Sequence, residues 1–290
     1  MSPLAVAFLA CGAIVIACWI LSLLTGECSW VDRVWSLAPV GYVTWFATQA
    51  PDSRLVVMAV LVAVWGTRLT FNFARKGGFR AGGEDYRWGV LRTRMSPALF
   101  QVFNLVFIAG YQNLLILFFT LPAWAALAPG AGLFGIGATG VASPAPFGAP
   151  DAAATALFLV FLAGETIADN QQWAFQEDKR ARKARGEPVL ADFVTTGLFR
   201  YSRHPNFFCE QAIWWSFYLF SIGAGAGVIN PSIVGPALLT LLFLGSTGFT
   251  ESITLSRYPR YAEYQRTTSR LIPWLPSRAL ALPVHREHQR

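Results

Sequence analysis

The residues best suited to bind a charged ligand form one run, Thr196-Gly-Leu-Phe-Arg-Tyr-Ser-Arg-His-Pro-Asn-Phe. Gly197 permits a turn, Pro205 suits the first turn of the helix that follows, and the side chains just before Pro205 are cationic. A helix N-terminus flanked by cations binds anions through its free N–H groups and its dipole. Asn206 and Glu210 would follow on one face of that helix, adding an amide and a carboxylate. The run therefore predicts an anion site, and a basic membrane anchor ahead of a helix start is the alternative.

Two further sets of polar side chains recur at helical spacing within apolar stretches. One set is Glu165, Asp169, Gln172 and Gln176, and the other is Trp65, Arg68, Asn72 and Arg75. Ionisable groups inside a bilayer cost at least about 2.5–3.5 kcal/mol each, so they normally face a protein interior and serve a function. We interpret the first set as a wall of a hydrated ligand cavity, with Arg68 as a planar donor for phosphate. A purely structural pairing of Arg68 with Asp169 is the alternative.

The C-terminal part carries a fourth polar set, Glu251 followed by Arg257, Tyr258, Tyr261 and Tyr264. The three tyrosines share a helix face after a charge-free stretch. Tyrosine favours the membrane boundary, so they could be interfacial anchors. Alternatively, the arginines and tyrosines close a cofactor pocket.

The elements that must position these residues are transmembrane helices. The chain has 290 residues, 54% of them hydrophobic and only 13% charged, with a mean hydropathy of +0.43. Soluble domains carry about 25% charged residues, so composition argues against a disordered chain or a water-soluble enzyme. The net charge of +7 is explained by basic loops between apolar spans, and no nucleic-acid partner is expected.

The apolar runs predict an all-α, polytopic membrane protein of seven transmembrane helices in a single domain. Their expected ranges are 4–24, 34–50, 55–74, 98–121, 152–175, 207–229 and 231–250. The stretch after 121 is too rich in Gly and Pro to span and is expected to form a loop. Residues 255–290 are expected to form a tail.

The distribution of basic residues predicts the orientation. Twenty of the 23 Lys and Arg residues lie in segments 74–95, 176–203 and 257–290. Seven spans put all three segments on one side, which the positive-inside rule makes cytoplasmic. The N-terminus is thus expected outside, in a bacterial inner membrane, and a monomer is expected.

The four cysteines, Cys11, Cys18, Cys28 and Cys209, show neither CxxC nor zinc spacing. Three of them lie within or beside apolar stretches. They are therefore interpreted as small buried hydrophobes, and no metal site is predicted.

Several of these motifs together resemble the C-terminal half of the steroid 5-alpha reductases, and especially their bacterial membrane relatives of long-unassigned function. The resemblance rests on GLFRYSRHPNFFCE, the helix carrying Asp169 and the closing YxxYxxxxxRLIPW, and it extends from about Cys28 to Trp274. It implies seven helices that enclose NADPH in a cytoplasm-facing cavity. The implied reaction is hydride transfer to the beta carbon of an enone lipid, such as a Δ4-3-ketosteroid.

The resemblance also implies roles for individual residues. Asp169, Asn206 and Glu210 match positions that hold the cofactor, and Arg68 matches an arginine on its phosphate side. The remaining cofactor contacts are assigned to Asn72, Arg200, Tyr201, Arg203, His204, Arg257 and Tyr258. The substrate contacts are assigned to Trp35, Trp65, Tyr111 and Trp214. Asp32 falls at the family's carboxylate near the substrate carbonyl.

Four positions depart from the steroid enzymes. Val31 replaces a glutamine, Asp32 a glutamate, Trp65 a tyrosine and Glu165 an asparagine. These departures weaken the implied steroid substrate, and they leave the implied fold and cofactor unchanged.

The rival class is the isoprenylcysteine carboxyl methyltransferases, which use S-adenosylmethionine and share an RHPxY-like turn and a Glu…Tyr-xx-Tyr tail. The clustered arginines favour NADPH, because its phosphates need cations and the sulfonium of S-adenosylmethionine does not. A non-enzymatic lipid-binding or transport role is the third possibility.

In the reductase reading, Asp32 and Arg33 are the catalytic candidates. Negative charge grows on the enone oxygen during hydride transfer, so the site must supply a donor there. A carboxyl group in an apolar cavity favours its protonated form, so Asp32 could supply that proton. Arg33 could instead act as the electrophile, or the two residues could form an interfacial pair that only caps the helix.

Overall fold

The computed structural model describes residues 1–132, 140 and 142–277. Most of the predicted glycine-rich loop after residue 132, and Arg278, Arg286 and Arg290 of the predicted tail, lie outside these residues. The described residues form helices and contain no strand. The α-helices are α1 Pro3–Thr25, α2 Trp30–Val34, α3 Ala38–Ala47, α4 Ser53–Arg75, α5 Tyr86–Arg94, α6 Pro97–Phe103, α7 Gln112–Leu127, α8 Ala149–Ala184, α9 Pro205–Gly223, α10 Val234–Arg257 and α11 Tyr261–Thr267. A π-helical segment, Asn104–Tyr111, joins α6 to α7, and 3₁₀ turns cover Gly197–Arg200 and Pro231–Ile233.

Five helical stretches of the described chain are long and apolar enough to cross a membrane. They are Pro3–Thr25, Ser53–Arg75, Pro97–Leu127, Ala149–Ala184 and Pro231–Arg257. This confirms the all-helical class and is consistent with a polytopic membrane protein. The number of seven spans stays a prediction, because α3 has only 10 residues and neither it nor α9 is among the five.

Several expected helix boundaries were wrong. The sixth helix, α9, ends at Gly223 and not at 229, and the seventh, α10, continues past 250 to Arg257. The fourth helix does not stop at 121 but continues through Pro122 to Leu127. The fifth runs well past 175 to Ala184, because its charged end forms ion pairs one turn apart. Arg180 pairs with Glu177 at 2.7 Å and Arg182 with Asp178 at 2.8 Å, and such pairs stabilise a solvent-exposed helix.

Side-chain caps explain where three of the apolar helices begin. The side chains of Ser2, Asp52 and Ser96 accept hydrogen bonds from the backbone N–H groups in the first turns of α1, α4 and α6. Each cap satisfies a donor that the helix itself leaves unpaired. The four cysteines are buried free thiols, which confirms that they are small buried hydrophobes.

The chain divides into two compact units. The first comprises Met1–Leu159 and Trp214–Thr240, and the second comprises Val160–Ile213 and Leu241–Arg290. The expectation of a single membrane domain stays a prediction. In the first unit, α3 packs against α4 and α7, and α1 packs against α7.

A buried ion pair ties three parts of the first unit together. The Arg54 and Asp151 side chains are fully buried, with Nε and Oδ1 2.6 Å apart. Arg54 Nη2 also donates to the carbonyls of Pro146 and Gly223 at 3.1 and 3.2 Å. Such a charge pair is tolerated in an apolar interior because Nε and Nη2 of Arg54 find acceptors and Nη1 lies 3.8 Å from Asp52 Oδ2.

The close approach of Gly235 to α7 gives a prediction about packing in the first unit. A Cβ at Gly235 would lie 2.2 Å from the carbonyl oxygen of Phe118. Because backbone cannot move aside, Gly235→Ala should lower the free energy of unfolding by about 2 kcal/mol, the usual cost of overpacking. Gly245→Ala in the same helix is the matched control, since a Cβ there meets nothing within 4 Å. Reversible unfolding in mixed micelles measures both, and equal stability of the two variants would contradict the predicted clash.

Candidate functional site

Buried acidic groups lie on neighbouring faces of α8 and α9 in the second unit. Glu165 and Asp169 of α8 are each 4% exposed, and Glu210 of α9 is 5% exposed. Asn206 Nδ2 donates to Asp169 Oδ1 at 3.4 Å. The structure thus brings together two of the residues that the sequence assigned to the cofactor, and we call these four residues the acidic cluster.

Small and aromatic residues let the two helices approach each other at this cluster. A Cβ at Gly164 would lie 2.9 Å from Cys209 Sγ, so only glycine fits there without movement. One turn earlier on α8, Phe161 packs edge to face on Phe208, with ring centroids 5.9 Å apart. The residues next to these contacts in sequence, Glu165 and Glu210, are therefore withdrawn from solvent.

The turn before α9 forms as the sequence predicted. Gly197 adopts a positive φ of 62°, a conformation that favours glycine, and begins a 3₁₀ turn through Arg200. The Leu198 N–H donates to Gln171 Oε1 at 2.9 Å, which fixes the turn on α8. Arg200, the last residue of the turn, and Tyr201, which follows it, have exposed side chains.

Arg203 lies in a different environment from the exposed Arg200. It donates to both carboxylate oxygens of Glu251, from Nε at 2.7 Å and from Nη2 at 3.0 Å. Its Nη1 donates to the carbonyls of Gln265 and Thr268. The structure therefore gives Arg203 a role that the sequence did not predict, namely linking α10 to the following tail. Its predicted contact with a cofactor is untested.

Glu251 is the centre of this network. It is 5% exposed and also contacts His204 Nε2 at 3.0 Å, Gln265 Nε2 at 2.9 Å and the Tyr261 hydroxyl at 3.4 Å. His204 stacks on Phe207. We call Arg203, His204, Glu251, Tyr261 and Gln265 the Glu251 network.

The tail tyrosines are not exposed anchors. Tyr261 and Tyr264 are buried and pack on the ring of Phe193, and Tyr264 donates to the carbonyl of Phe199. Burial raises the pKa of both phenols, so both stay protonated. The reading of these two residues as interfacial anchors was wrong, because segment 193–199 covers them.

Arg257 and Tyr258, the two predicted cofactor residues of this tail, are more exposed than the buried tyrosines. Arg257 is exposed at the end of α10, and Tyr258 is half-buried. Lys179 Nζ lies 3.3 Å from the Tyr258 hydroxyl and donates to the carbonyl of Asp192 at 2.6 Å. Lys179 was missed, because among the charged residues that end α8 nothing marks it out by sequence.

In the first unit, Asp32 is held by residues from the segment after α4. Trp88 Nε1 donates to Asp32 Oδ2 at 3.4 Å. Removal from water raises the pKa of the Asp32 carboxyl above its ordinary value, and the nearby Asp85 carboxylate acts the same way. The Ser29 hydrogen bond, the Arg87 charge and Trp88 oppose that rise in pKa. The direction of the pKa shift favours a carboxyl group that can carry a proton.

Arg33 does not pair with its neighbour Asp32. It bonds Glu27 Oε2 at 2.5 Å and donates to the Gly78 carbonyl at 3.2 Å. The expected alternative of an Asp32–Arg33 cap was therefore wrong, since each side chain finds its partners in other segments. Neither Trp88 nor Glu27 was singled out from the sequence. Trp88 is 56 residues from Asp32 along the chain, and Glu27, six residues before Arg33, carries no motif that marks it as a partner.

Three of the four predicted substrate residues meet in one aromatic cluster of the first unit. The Trp65 and Trp214 rings are 4.9 Å apart, and Phe119 lies 4.1 Å from Trp214 and 6.0 Å from Trp35, all between centroids. Tyr111 instead stacks on Phe107 in the π-helical segment. Phe119, which the sequence did not indicate, is the residue that joins the cluster.

The predicted face of α4 also forms in the first unit. Trp65 and Asn72 are buried, and Arg68 and Arg75 are half-buried. Arg75 Nε donates to Asn72 Oδ1 at 2.9 Å. Arg68 and Asn72 thus belong to the first unit, whereas the other predicted cofactor residues belong to the second.

Fold and site together define a helical membrane protein that holds acidic and basic side chains within its apolar helices. The chain belongs to the family described as "Protein of unknown function (DUF1295)", which matches residues 18–268. It is 35% identical over 272 residues to an uncharacterized protein of Schizosaccharomyces pombe, with 89% of this chain and 76% of that protein covered. No solved structure matches it.

Proposed function

We propose that this protein is a membrane reductase that uses NADPH to reduce the carbon–carbon double bond of an enone lipid. The observation that carries the proposal is the acidic cluster on α8 and α9. Burying several ionisable groups between apolar helices is costly, and such groups are retained in membrane proteins mainly where they bind or react. The motif resemblance adds the cofactor and the reaction type.

The residues present suit a dinucleotide with several phosphates. Arg200 and Arg257 are exposed cations, and Tyr201 is exposed beside Arg200. Asn206, Asp169 and Glu210 supply an amide and carboxylates, which match the ribose hydroxyls and the carboxamide of NADPH. Arg203 and His204 would act through the Glu251 network by holding the turn in place. Arg68 and Asn72, which lie in the first unit, stay predicted cofactor contacts.

The proposed chemistry divides between a hydride and a proton. NADPH, when bound, supplies the hydride. Asp32, whose pKa is raised by removal from water, supplies a proton to the carbonyl side of the substrate, and Arg33 stays engaged with Glu27. The Trp35, Trp65 and Trp214 cluster offers flat apolar surface to a planar lipid such as a Δ4-3-ketosteroid. We further infer a monomer in a bacterial inner membrane, with the N-terminus outside and the basic segments in the cytoplasm.

Titration of the purified protein with NADPH in detergent tests the cofactor assignment. NADPH should bind more tightly than NADH, because the extra phosphate needs the exposed arginines. Asn206→Ala should weaken NADPH binding by up to about tenfold, the cost of one lost hydrogen bond. Fluorescence of the bound nicotinamide measures both effects.

The matched control is Asn170→Ala, a change at an exposed residue beside Asp169. It should leave NADPH affinity unchanged. Wild-type affinity in a well-folded Asn206→Ala protein would contradict the placement of the cofactor at the acidic cluster. Binding of S-adenosylmethionine without any binding of NADPH would replace the reductase by the methyltransferase.

A further inference from the structure

An apolar patch is exposed near the end of the described chain. Trp274 and Leu275 are 73% and 77% exposed, and they line one surface with Pro273 and with Tyr201, which is 40% exposed. We call these four residues the tail patch. Exposed apolar side chains that adjoin one another mark interaction surfaces more often than single ones do.

The tail patch is presented by a firmly bonded backbone. The Trp274 N–H donates to the carbonyl of Tyr201 at 2.9 Å. The N–H groups of Arg203 and His204 donate to the carbonyls of Ser269 and Arg270 at 2.8 and 3.1 Å. Segment 269–274 is thus an ordered edge, with Leu271 buried below it. Its outward apolar residues are therefore a feature of the fold, since a frayed end would lack these bonds.

These hydrogen bonds hold the tail patch next to the N-terminal end of α9. They involve residues 201–204, and α9 begins at Pro205. If α9 spans the membrane, as the sequence predicts, its first residue marks the boundary between lipid and water. Tryptophan and tyrosine concentrate at that boundary because their rings are apolar and their N–H and O–H groups are polar.

Two exposed arginines flank the tail patch. Arg200 is exposed and directly precedes Tyr201, and Arg266 is exposed at the end of α11. The Ser277 N–H donates to the Thr267 carbonyl at 3.0 Å, which brings the far side of the patch to Arg266. Anionic lipid headgroups attract arginine near a membrane surface, so the rim of the patch and an acidic leaflet are complementary.

We propose that the tail patch docks on the surface of the protein's own membrane, with Trp274 and Leu275 among the headgroups of a leaflet that contains anionic lipid. Aromatic and aliphatic residues enter the headgroup layer and the arginines contact phosphate, as in other interfacial segments. The contact sets the depth at which residues 201–204, and with them the Glu251 network, meet the membrane. Arg200 and Tyr201 also belong to the proposed cofactor set, so the test places its label at Trp274, which lies outside that set.

The test labels the full-length protein with a fluorescent nitrobenzoxadiazole group at Trp274→Cys. The four native cysteines are buried, so the unsubstituted protein gives the background. Glu263→Cys, at an exposed position of α11, is the matched control on the polar side of the tail. Each protein is placed in nanodiscs with one copy per disc, made of phosphatidylglycerol and phosphatidylcholine with a quencher lipid that carries a spin label at carbon 5.

The quencher lipid should reduce the fluorescence at position 274 several-fold more than at position 263. Arg266→Gln, or discs of phosphatidylcholine alone, should weaken the quenching at 274. Equal quenching at both positions would overturn the proposal, and so would a water-like emission at 274. An apolar emission without lipid quenching would mean that protein covers the patch, and it too would overturn the proposal.

Discussion

Asp32→Asn is expected to retain NADPH affinity and to lose hydride transfer to an enone by about 10²-fold or more, the scale of general-acid catalysis. The amide keeps the shape and a hydrogen-bond donor, but it cannot release a proton. The contact with Trp88, 3.4 Å from the carboxylate, is preserved in form, so folding should be unaffected. Single-turnover oxidation of bound NADPH measures the step directly.

The pH dependence provides the control for this prediction. Removal from water raises the pKa of Asp32, so the reactive acid form persists above the carboxyl's ordinary range and is lost as pH rises through the raised pKa. The wild-type rate should therefore fall with rising pH through that window, and the Asp32→Asn rate should not. Asp32→Glu restores a carboxyl and should recover much of the activity. Unchanged turnover in Asp32→Asn would remove Asp32 from the mechanism.

Breaking the Glu251 network should give the largest loss of stability among the proposed variants. Arg203→Met leaves the Glu251 carboxylate buried without its bidentate partner, and this should lower the free energy of unfolding by about 3 kcal/mol. The loss should not be greater, because Gln265 still donates to Glu251 and His204 Nε2 stays within hydrogen-bonding distance of it. Denaturant unfolding in mixed micelles measures the change.

Two further variants separate this effect from a general loss of charge. Arg203→Met combined with Glu251→Leu removes both charges and should recover most of the stability, because apolar residues can replace a buried pair at little cost. Arg185→Met breaks an exposed pair with Glu187, whose side chains are 55% and 41% exposed, and should change stability far less than Arg203→Met does, because water screens the pair. Equal losses for Arg203→Met and Arg185→Met would contradict the structural role of the Glu251 network.

Local signals explain how much of the fold could be predicted. Charge-free runs gave α1 and α4 to within two residues of their observed ends, since a membrane span must be continuous and apolar. The ends of α7 and α8 were missed. The α7 helix continues because Pro122 is tolerated within a buried helix. The charged end of α8 is stabilised by ion pairs, which a hydropathy scale cannot detect because it scores these side chains only as polar.

The candidate site was predictable where its residues are close in sequence or share a helix face. The turn at Gly197 and the burial of Asp169 with Glu165 follow from a short motif and a spacing of four. The ion pair of Arg203 with Glu251, 48 residues away, did not follow from the sequence, because contacts between distant segments depend on tertiary packing. From the sequence alone, an arginine beside a helix start that binds a ligand cannot be distinguished from one that pairs with a carboxylate of its own chain.

The π-helical segment between α6 and α7 has a consequence for how this chain can vary in length. The Gln112 N–H donates to the carbonyl of Phe107, five residues back, so the segment absorbs an additional residue within an otherwise α-helical stretch. In an α-helix, one inserted residue turns everything beyond it by about 100°. Here the wider turn absorbs that rotation, and the packed faces of α6 and α7 keep their directions. Within this span, a one-residue deletion is therefore best accommodated between Asn104 and Tyr111, where it would restore ordinary α-helix and leave the faces on either side unturned.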